Sequence, residues 1–197
     1  YVIEDDYDSE FRYKGKPIPS LQSIDHEEKV IYLGTFSKSI APSLRISYMV
    51  LPDELTERFY RELSFYSCTV SNFEQYTLDL FIKEGYFEKH INRMRTYYRK
   101  IRDELLDAIA NSALATHCNI AEEDSGLHFL LHIDTSLPDD ALSAKAKEYG
   151  LHLSFLSEYY EKGSPNIPAH TLIINYSGLT SEKIPQVITL LSKCILT

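Results

Sequence analysis

Tyr32-Leu33-Gly34-Thr35-Phe36-Ser37-Lys38-Ser39-Ile40-Ala41-Pro42-Ser43-Leu44-Arg45 carries an apolar run into a glycine, then hydroxyls, one lysine, a proline and one arginine. Residues 29–33 before the turn and 45–51 after it read as strands. Neither alternates strictly, which predicts strands covered on both faces. Two strands flanking such a turn hold Lys38 and Arg45 near each other at one end of a sheet, where α/β proteins place ligands. The side chains suit an amine that condenses with a carbonyl and a guanidinium that grips a phosphate. On these residues alone, an exposed lysine in a loop beside a strand is an equal reading.

The chain has 197 residues, 44% of them hydrophobic, enough to bury a core as one large domain or two small ones. A net charge of −9 argues against this segment gripping nucleic acid, because phosphate neutralisation needs excess lysine and arginine. It leaves open DNA binding by any other region. Cys68, Cys118 and Cys194 are odd in number and widely spaced, as expected of reduced core thiols in a cytoplasmic protein. No apolar run approaches the roughly 20 residues of a membrane-spanning helix, and no signal-peptide pattern opens the chain. Tyr1 already lies in the strand-like run Tyr1-Val2-Ile3, so the chain reads as the carboxyl-terminal piece of a longer protein.

Residues 1–3 are predicted as a short buried strand with the acidic cluster Glu4-Asp5-Asp6-Tyr7-Asp8 at its carboxyl end. Residues 11–23, with Gly15, Pro17 and Pro19, read as loop. Helices are expected over 53–65, 72–83 and 86–110. In the last of these Ile91, Met94, Tyr98, Ile101, Leu105 and Ile109 step by three and four as one buried stripe, and Arg93, Arg95, Arg99, Lys100 and Arg102 form an opposite solvated face. Strands at 127–133, 151–156 and 171–176 and helices at 139–149 and 181–194 then make an α+β unit. The fold class is therefore α/β, a parallel-sheet unit followed by a small α+β domain.

Two strand ends thus bring together a carboxylate, a phenol two residues on, a lysine and an arginine seven residues after it. A pyridoxal phosphate site needs those chemistries. The blocks Ile3-Glu-Asp-Asp-Tyr-Asp-Ser-Glu-Phe-Arg-Tyr13, Gly34-Thr-Phe-Ser-Lys-Ser-Ile-Ala-Pro-Ser-Leu-Arg-Ile-Ser-Tyr48 and His90-Ile-Asn-Arg-Met-Arg95 resemble the fold-type I pyridoxal phosphate proteins, the class I aminotransferases. More narrowly they resemble the aminotransferase-like domain of MocR-type regulators of the GntR superfamily. The resemblance implies that residues 1–71 are the end of the cofactor-binding large domain, 72–110 linker helices and 111–197 the small carboxyl-terminal domain. It implies Asp5 as partner of the ring nitrogen, Tyr7 of the ring oxygen, Lys38 as the Schiff-base lysine, and Thr35, Ser37 and Arg45 as phosphate contacts. A lysine is a poor nucleophile at neutral pH unless its proton affinity is lowered, which burial and nearby Arg45 would both do.

Aminotransferases of this kind grip the substrate carboxylate with an arginine in an Arg-Leu-x-Phe pattern. Here the matching run is Ile173-Ile174-Asn175-Tyr176, and no arginine follows Arg102. Lys162, His128, His152 and His170 are the remaining cationic candidates, none paired at metal-like spacing. This departure favours a regulatory domain that binds an amino compound by imine exchange at Lys38. The alternative is an aminotransferase moving an amino group between an amino acid and a keto acid. The resemblance further implies a homodimer and a DNA-binding amino-terminal domain absent from this chain. Parts of the cofactor pocket lie ahead of the acidic block, so this piece alone is expected to hold pyridoxal 5'-phosphate weakly or not at all, and to expose apolar surface.

Overall fold

The structure is a computed structural model that describes residues 1–16, 18–161 and 163–196; Pro17 and Lys162, both noted in the sequence, lie outside the described residues. Two units divide the chain, Tyr1–Arg95 and Thr96–Thr197. The division falls inside the helix Tyr86–Ala110, where the sequence drew boundaries after residues 71 and 110.

In the first unit, β1 (Val2–Asp6), β2 (Val30–Thr35) and β3 (Ser47–Val50) form a sheet in that order. β1 pairs with β2 in parallel from Val2–Val30 to Asp6–Gly34, and β3 runs antiparallel to β2. The sheet is therefore mixed. The helices are α1 (Leu21–Ile24), a short α2 (Phe36–Ser39), α3 (Asp53–Leu63), α4 (Asn72–Lys83) and the start of α5 (Tyr86–Ala110). α1 falls in the stretch predicted as loop; its first amides donate to the Glu4 carboxylate at 2.8 and 3.0 Å. Capping sets α4, whose Ser71 hydroxyl accepts from the Glu74 amide and donates to the Glu74 carboxylate.

Packing in this unit is thin. Phe11, Tyr13, Val30, Ile46 and Ile91 are buried, but α3 and α4 bury no residue. Every residue of β3 is exposed, as are Val2 and Ile3 of β1, so the expected two-sided cover of these strands is not present in this chain. β2 between them is half-buried to buried, so it is β3 and the start of β1 that lie open.

The second unit is complete by comparison. β4 (Cys118–Ala121), β5 (His128–Ile133) and β6 (Thr171–Asn175) form an antiparallel sheet with β5 central. Phe129, Leu131 and Ile133 alternate as the buried positions of β5, and Leu142 and Ala146 of α6 (Asp139–Glu148) and Ile188 and Leu191 of α7 (Ile184–Leu196) are buried as well. α6 ends as predicted at Gly150, whose φ of +75° allows a Schellman closure, Leu151 N to Ala146 O and Gly150 N to Lys147 O. That closure commits the start of the strand predicted over 151–156; only the Phe155–Leu172 bridge forms there. β4 was not foreseen. Ile101, Leu105 and Ile109 form the buried stripe of α5, but Arg102 is buried too: it donates to the Asp103 carboxylate and to the Glu123 carbonyl. Of the thiols only Cys194 is buried; Cys118 is half-buried, its thiol pushed up to about 11 by burial, and Cys68 is exposed, which corrects the expectation of three core thiols.

Packing this uneven makes substitution costs uneven. Leu131→Ala, in the centre of β5, is expected to destabilise the second unit by about 3 kcal/mol. Phe73→Ala on α4, where the side chain is 81% exposed, is expected to change stability by less than about 0.5 kcal/mol. Urea denaturation of each variant checks the contrast.

Candidate functional site

Because β1 and β2 are parallel, their carboxyl ends lie side by side, with Asp5 paired to Leu33 and Asp6 to Gly34. Asp5 and Tyr7 on one strand, and Thr35, Ser37 and Lys38 leaving the other, therefore share one end of the sheet. The turn is closed by backbone bonds from Phe36 N to Ile46 O and from Leu44 N to Ala41 O, both 3.0 Å. These draw residues 44–46 back onto the start of α2, and with them Arg45.

Each hydroxyl has a definite job. Thr35 Oγ1 accepts from the Ser37 amide at 3.2 Å, capping α2, and donates to the Ile46 carbonyl at 3.3 Å. Ser37 Oγ donates to the Leu44 carbonyl at 3.0 Å and accepts from Arg45 Nη1 at 3.4 Å. Arg45 Nη1 also reaches the Pro42 carbonyl. The two hydroxyl protons are thus directed at main-chain carbonyls, and the guanidinium carries further N–H groups for an anion. Lys38 and Arg45 are exposed, so the burial expected of the lysine is not present in this chain. Among the described residues Lys38 makes no hydrogen bond or ion pair. Asp5 is exposed and Tyr7 is 42% exposed.

Sequence reasoning set Asp6 behind the site or in solvent, but missed its partners in the layer behind. Asp6 accepts from the Ser9 amide and hydroxyl and, at 2.8 Å, from the Tyr32 hydroxyl. Burial first, and then this bond to a carboxylate, drives the Tyr32 phenol far above the usual tyrosine range. The Tyr48 ring lies across Gly34, where an added Cβ would collide with Tyr48 Cζ, and sits 5.3 Å from the Phe36 ring. The period-two alternation of β1 was the available signal, since it separates Asp5 from Asp6. Arg95 Nε, in the third block, donates to the Glu10 carbonyl at 2.9 Å and ties α5 to the loop after β1.

Of the other cationic candidates, His128 opens β5, His152 is exposed, and the His170 ring lies 3.3 Å from the Asp139 carboxylate. Asp139 also accepts from the His170 amide and the Ser157 hydroxyl, a structural tie of the start of α6 to residues 157 and 170. Among the described residues no cluster of metal-ligating side chains occurs, and no helix is long and apolar enough to cross a membrane.

No protein-family model matches the sequence. The uncharacterized HTH-type transcriptional regulator YdeL of Bacillus subtilis is 44% identical over 186 residues, covering 94% of this chain. The probable rhizopine catabolism regulatory protein MocR of Rhizobium meliloti is 35% identical over 196 residues. The chain spans 39% of the length of each. In structure it matches the kynurenine aminotransferase of Pyrococcus horikoshii, solved with PMP, with a TM-score of 0.83 and 27% identity over 99% of this chain and 47% of that one. Fold and sequence together define the carboxyl-terminal part of a fold-type I, aminotransferase-like pyridoxal phosphate protein. Within that class the chain belongs with the aminotransferase-like domains of MocR-type regulators of the GntR superfamily.

Gly34→Ala is expected to displace the Tyr48 ring and destabilise the first unit by roughly 1–3 kcal/mol. Adding Tyr48→Ala is expected to recover part of that loss, because the two changes share one contact. A double-mutant cycle by thermal denaturation measures the coupling.

Proposed function

We propose that this chain is the effector-sensing, pyridoxal phosphate-binding part of a cytoplasmic, homodimeric transcriptional regulator, and that it binds an amino compound by imine exchange at Lys38. What carries the reading is the convergence of Asp5, Thr35, Ser37, Lys38 and Arg45 at one end of the β1–β2 pair, in a chain whose relatives are transcriptional regulators. DNA contact belongs to an amino-terminal domain outside this chain, consistent with the −9 charge here.

The donor set fits the cofactor: an amine without an ion pair, an arginine pinned beside a capped turn, and an open carboxylate. Pyridoxal phosphate, when bound, supplies an aldehyde that condenses with amines and a ring that withdraws electrons. Lys38 offers its amine from α2. Arg45, oriented by Ser37 Oγ and the Pro42 carbonyl, directs its remaining N–H groups at phosphate oxygens. Thr35 fixes the first turn of α2 and so the direction of Lys38; Ser37 and Thr35 reach a phosphate only by turning their hydroxyls from the Leu44 and Ile46 carbonyls. Asp5 holds a proton at the ring nitrogen, and Tyr7 donates to the ring oxygen.

The uncovered β1, β3, α3 and α4 support a larger assembly, made from the remaining length seen in the relatives and a second copy. The competing reading is an aminotransferase, favoured by the structural neighbours. Against it stands Ile173, half-buried in β6, where an Arg-Leu-x-Phe pattern would set the carboxylate-gripping arginine. A sensor needs only an exchange that shifts domain populations.

In the full-length regulator, Lys38→Ala is expected to abolish the borohydride-reducible visible band and the effector-dependent change in promoter binding, while basal DNA binding persists. Sustained multiple turnovers with amino donors and a keto acid would overturn the sensor reading. The isolated chain is expected to bind the cofactor far more weakly than the full-length protein; a reducible band of equal affinity, lost on Lys38→Ala, contradicts that.

A further inference from the structure

β1 ends in two adjacent aspartates, and strand alternation sends them to opposite faces of the sheet. Asp5 shares a face with Leu33 and Thr35; Asp6 shares the other with Tyr32, Gly34 and Tyr48. Their surroundings differ accordingly. Asp5 makes no hydrogen bond among the described residues, whereas Asp6 accepts three, one of them from Tyr32 at 2.8 Å. The Tyr32 and Tyr48 rings stand 6.2 Å apart on this face, tilted by 38°. Tyr48 in turn crosses Gly34 and packs on Phe36, the first residue of the helix that carries Lys38.

A continuous line of side chains therefore runs from the end of β1, across β2, to β3 and the root of α2, all on the face opposite Asp5. Its location matters. The β1–β2 ladder holds five residue pairs and ends at Asp6–Gly34, and strand ends are where local opening begins. β1 is also an edge strand in this chain, so the ladder alone holds its last residues weakly.

We propose that Tyr32 is a positioning residue: its hydroxyl, bonded to Asp6, and its ring, beside that of Tyr48, clasp the end of β1 to the root of α2 and so set where Asp5 stands relative to Lys38. This rests on the cofactor reading above, in which Asp5 and Lys38 act on one bound group. The clasp works from the back of the sheet and touches no ligand. The phenol suits the task because, unlike a histidine, it stays protonated and so a donor throughout the physiological range.

Tyr32→Phe in the full-length protein keeps the ring and removes the hydroxyl. Hydrogen exchange of the cofactor-free variant is expected to quicken about tenfold at residues 5–8 and 35–39, with β5 amides unchanged, as loss of a hydrogen bond to a carboxylate predicts. Affinity for pyridoxal phosphate is expected to fall about tenfold. Asp6→Asn is expected to loosen the same two segments, and the double variant to be no worse than Asp6→Asn alone, since the Tyr32 hydroxyl acts through its bond to Asp6. Unchanged exchange at those segments overturns the clasp whatever the cofactor does. Quickened exchange spread evenly over residues 1–95 reduces Tyr32 to a general stabiliser and overturns it too, as does local quickening with unaltered affinity. If the unsubstituted protein binds no pyridoxal phosphate while Tyr32→Phe still loosens both segments, the cofactor reading fails and the clasp stands.

Discussion

The turn that carries the candidate site residues depends on one missing methyl group. Gly34 has no Cβ, so the Tyr48 ring can lie flat across β2 and reach Phe36. β3 must follow β2 closely for that contact to form, and the backbone bond from Phe36 to Ile46 holds it there. Thr35 then caps the next four residues into α2, with Lys38 projecting from it. Any larger residue at position 34 forces either the ring or the strand away. Arg45 would go with the strand, because it sits only two residues before the strand begins.

Energetic weight is distributed unequally around that turn. The second unit buries an alternating strand, two helical faces and a tyrosine whose hydroxyl donates to the Gly126 carbonyl at 2.7 Å. The first unit buries five hydrophobic side chains and exposes a sheet and two amphipathic helices. At about 25 cal/mol per Å² of apolar surface, exposed Phe65, Tyr66, Phe73 and Tyr76 forgo several kcal/mol that a covering layer would recover. Contacts inside the first unit are therefore dominated by hydrogen bonds and ring packing close to the turn. In a sensor this is useful, since elements held by few apolar contacts shift most readily when a ligand binds.

The helices at 72–83 and 86–110 were legible to the residue, because capping serine, glycine stop and a three-four apolar step agree with one another. Where one signal stood alone it failed. Residues 151–156 look like a strand by composition, but the Schellman closure after α6 claims Leu151, and only Phe155 bridges β6. Arg102 looked like one more basic surface residue; the Glu123 carbonyl that draws it inward lies 21 positions away and leaves no trace in local pattern. At the site, Asp5, Tyr7, Lys38 and Arg45 could be nominated from residue type and spacing. That the Thr35 and Ser37 hydroxyls are turned to carbonyls could not, because it depends on residues 44–46 folding back over α2. Exposure of Lys38 was equally hidden, since the sequence says nothing of which layers lie outside the chain.

The pair Asp5-Asp6 shows how much one strand period can decide. Both carboxylates are acidic, adjacent and at a strand end, so composition cannot rank them. Alternation gives one to each face, and the partners then differ by kind: Asp6 receives a phenol and two donors from Ser9, while Asp5 keeps its lone pairs. A carboxylate with its acceptor capacity already filled is poorly suited to hold a proton on an incoming ring. An open one beside a cation-bearing turn is well suited.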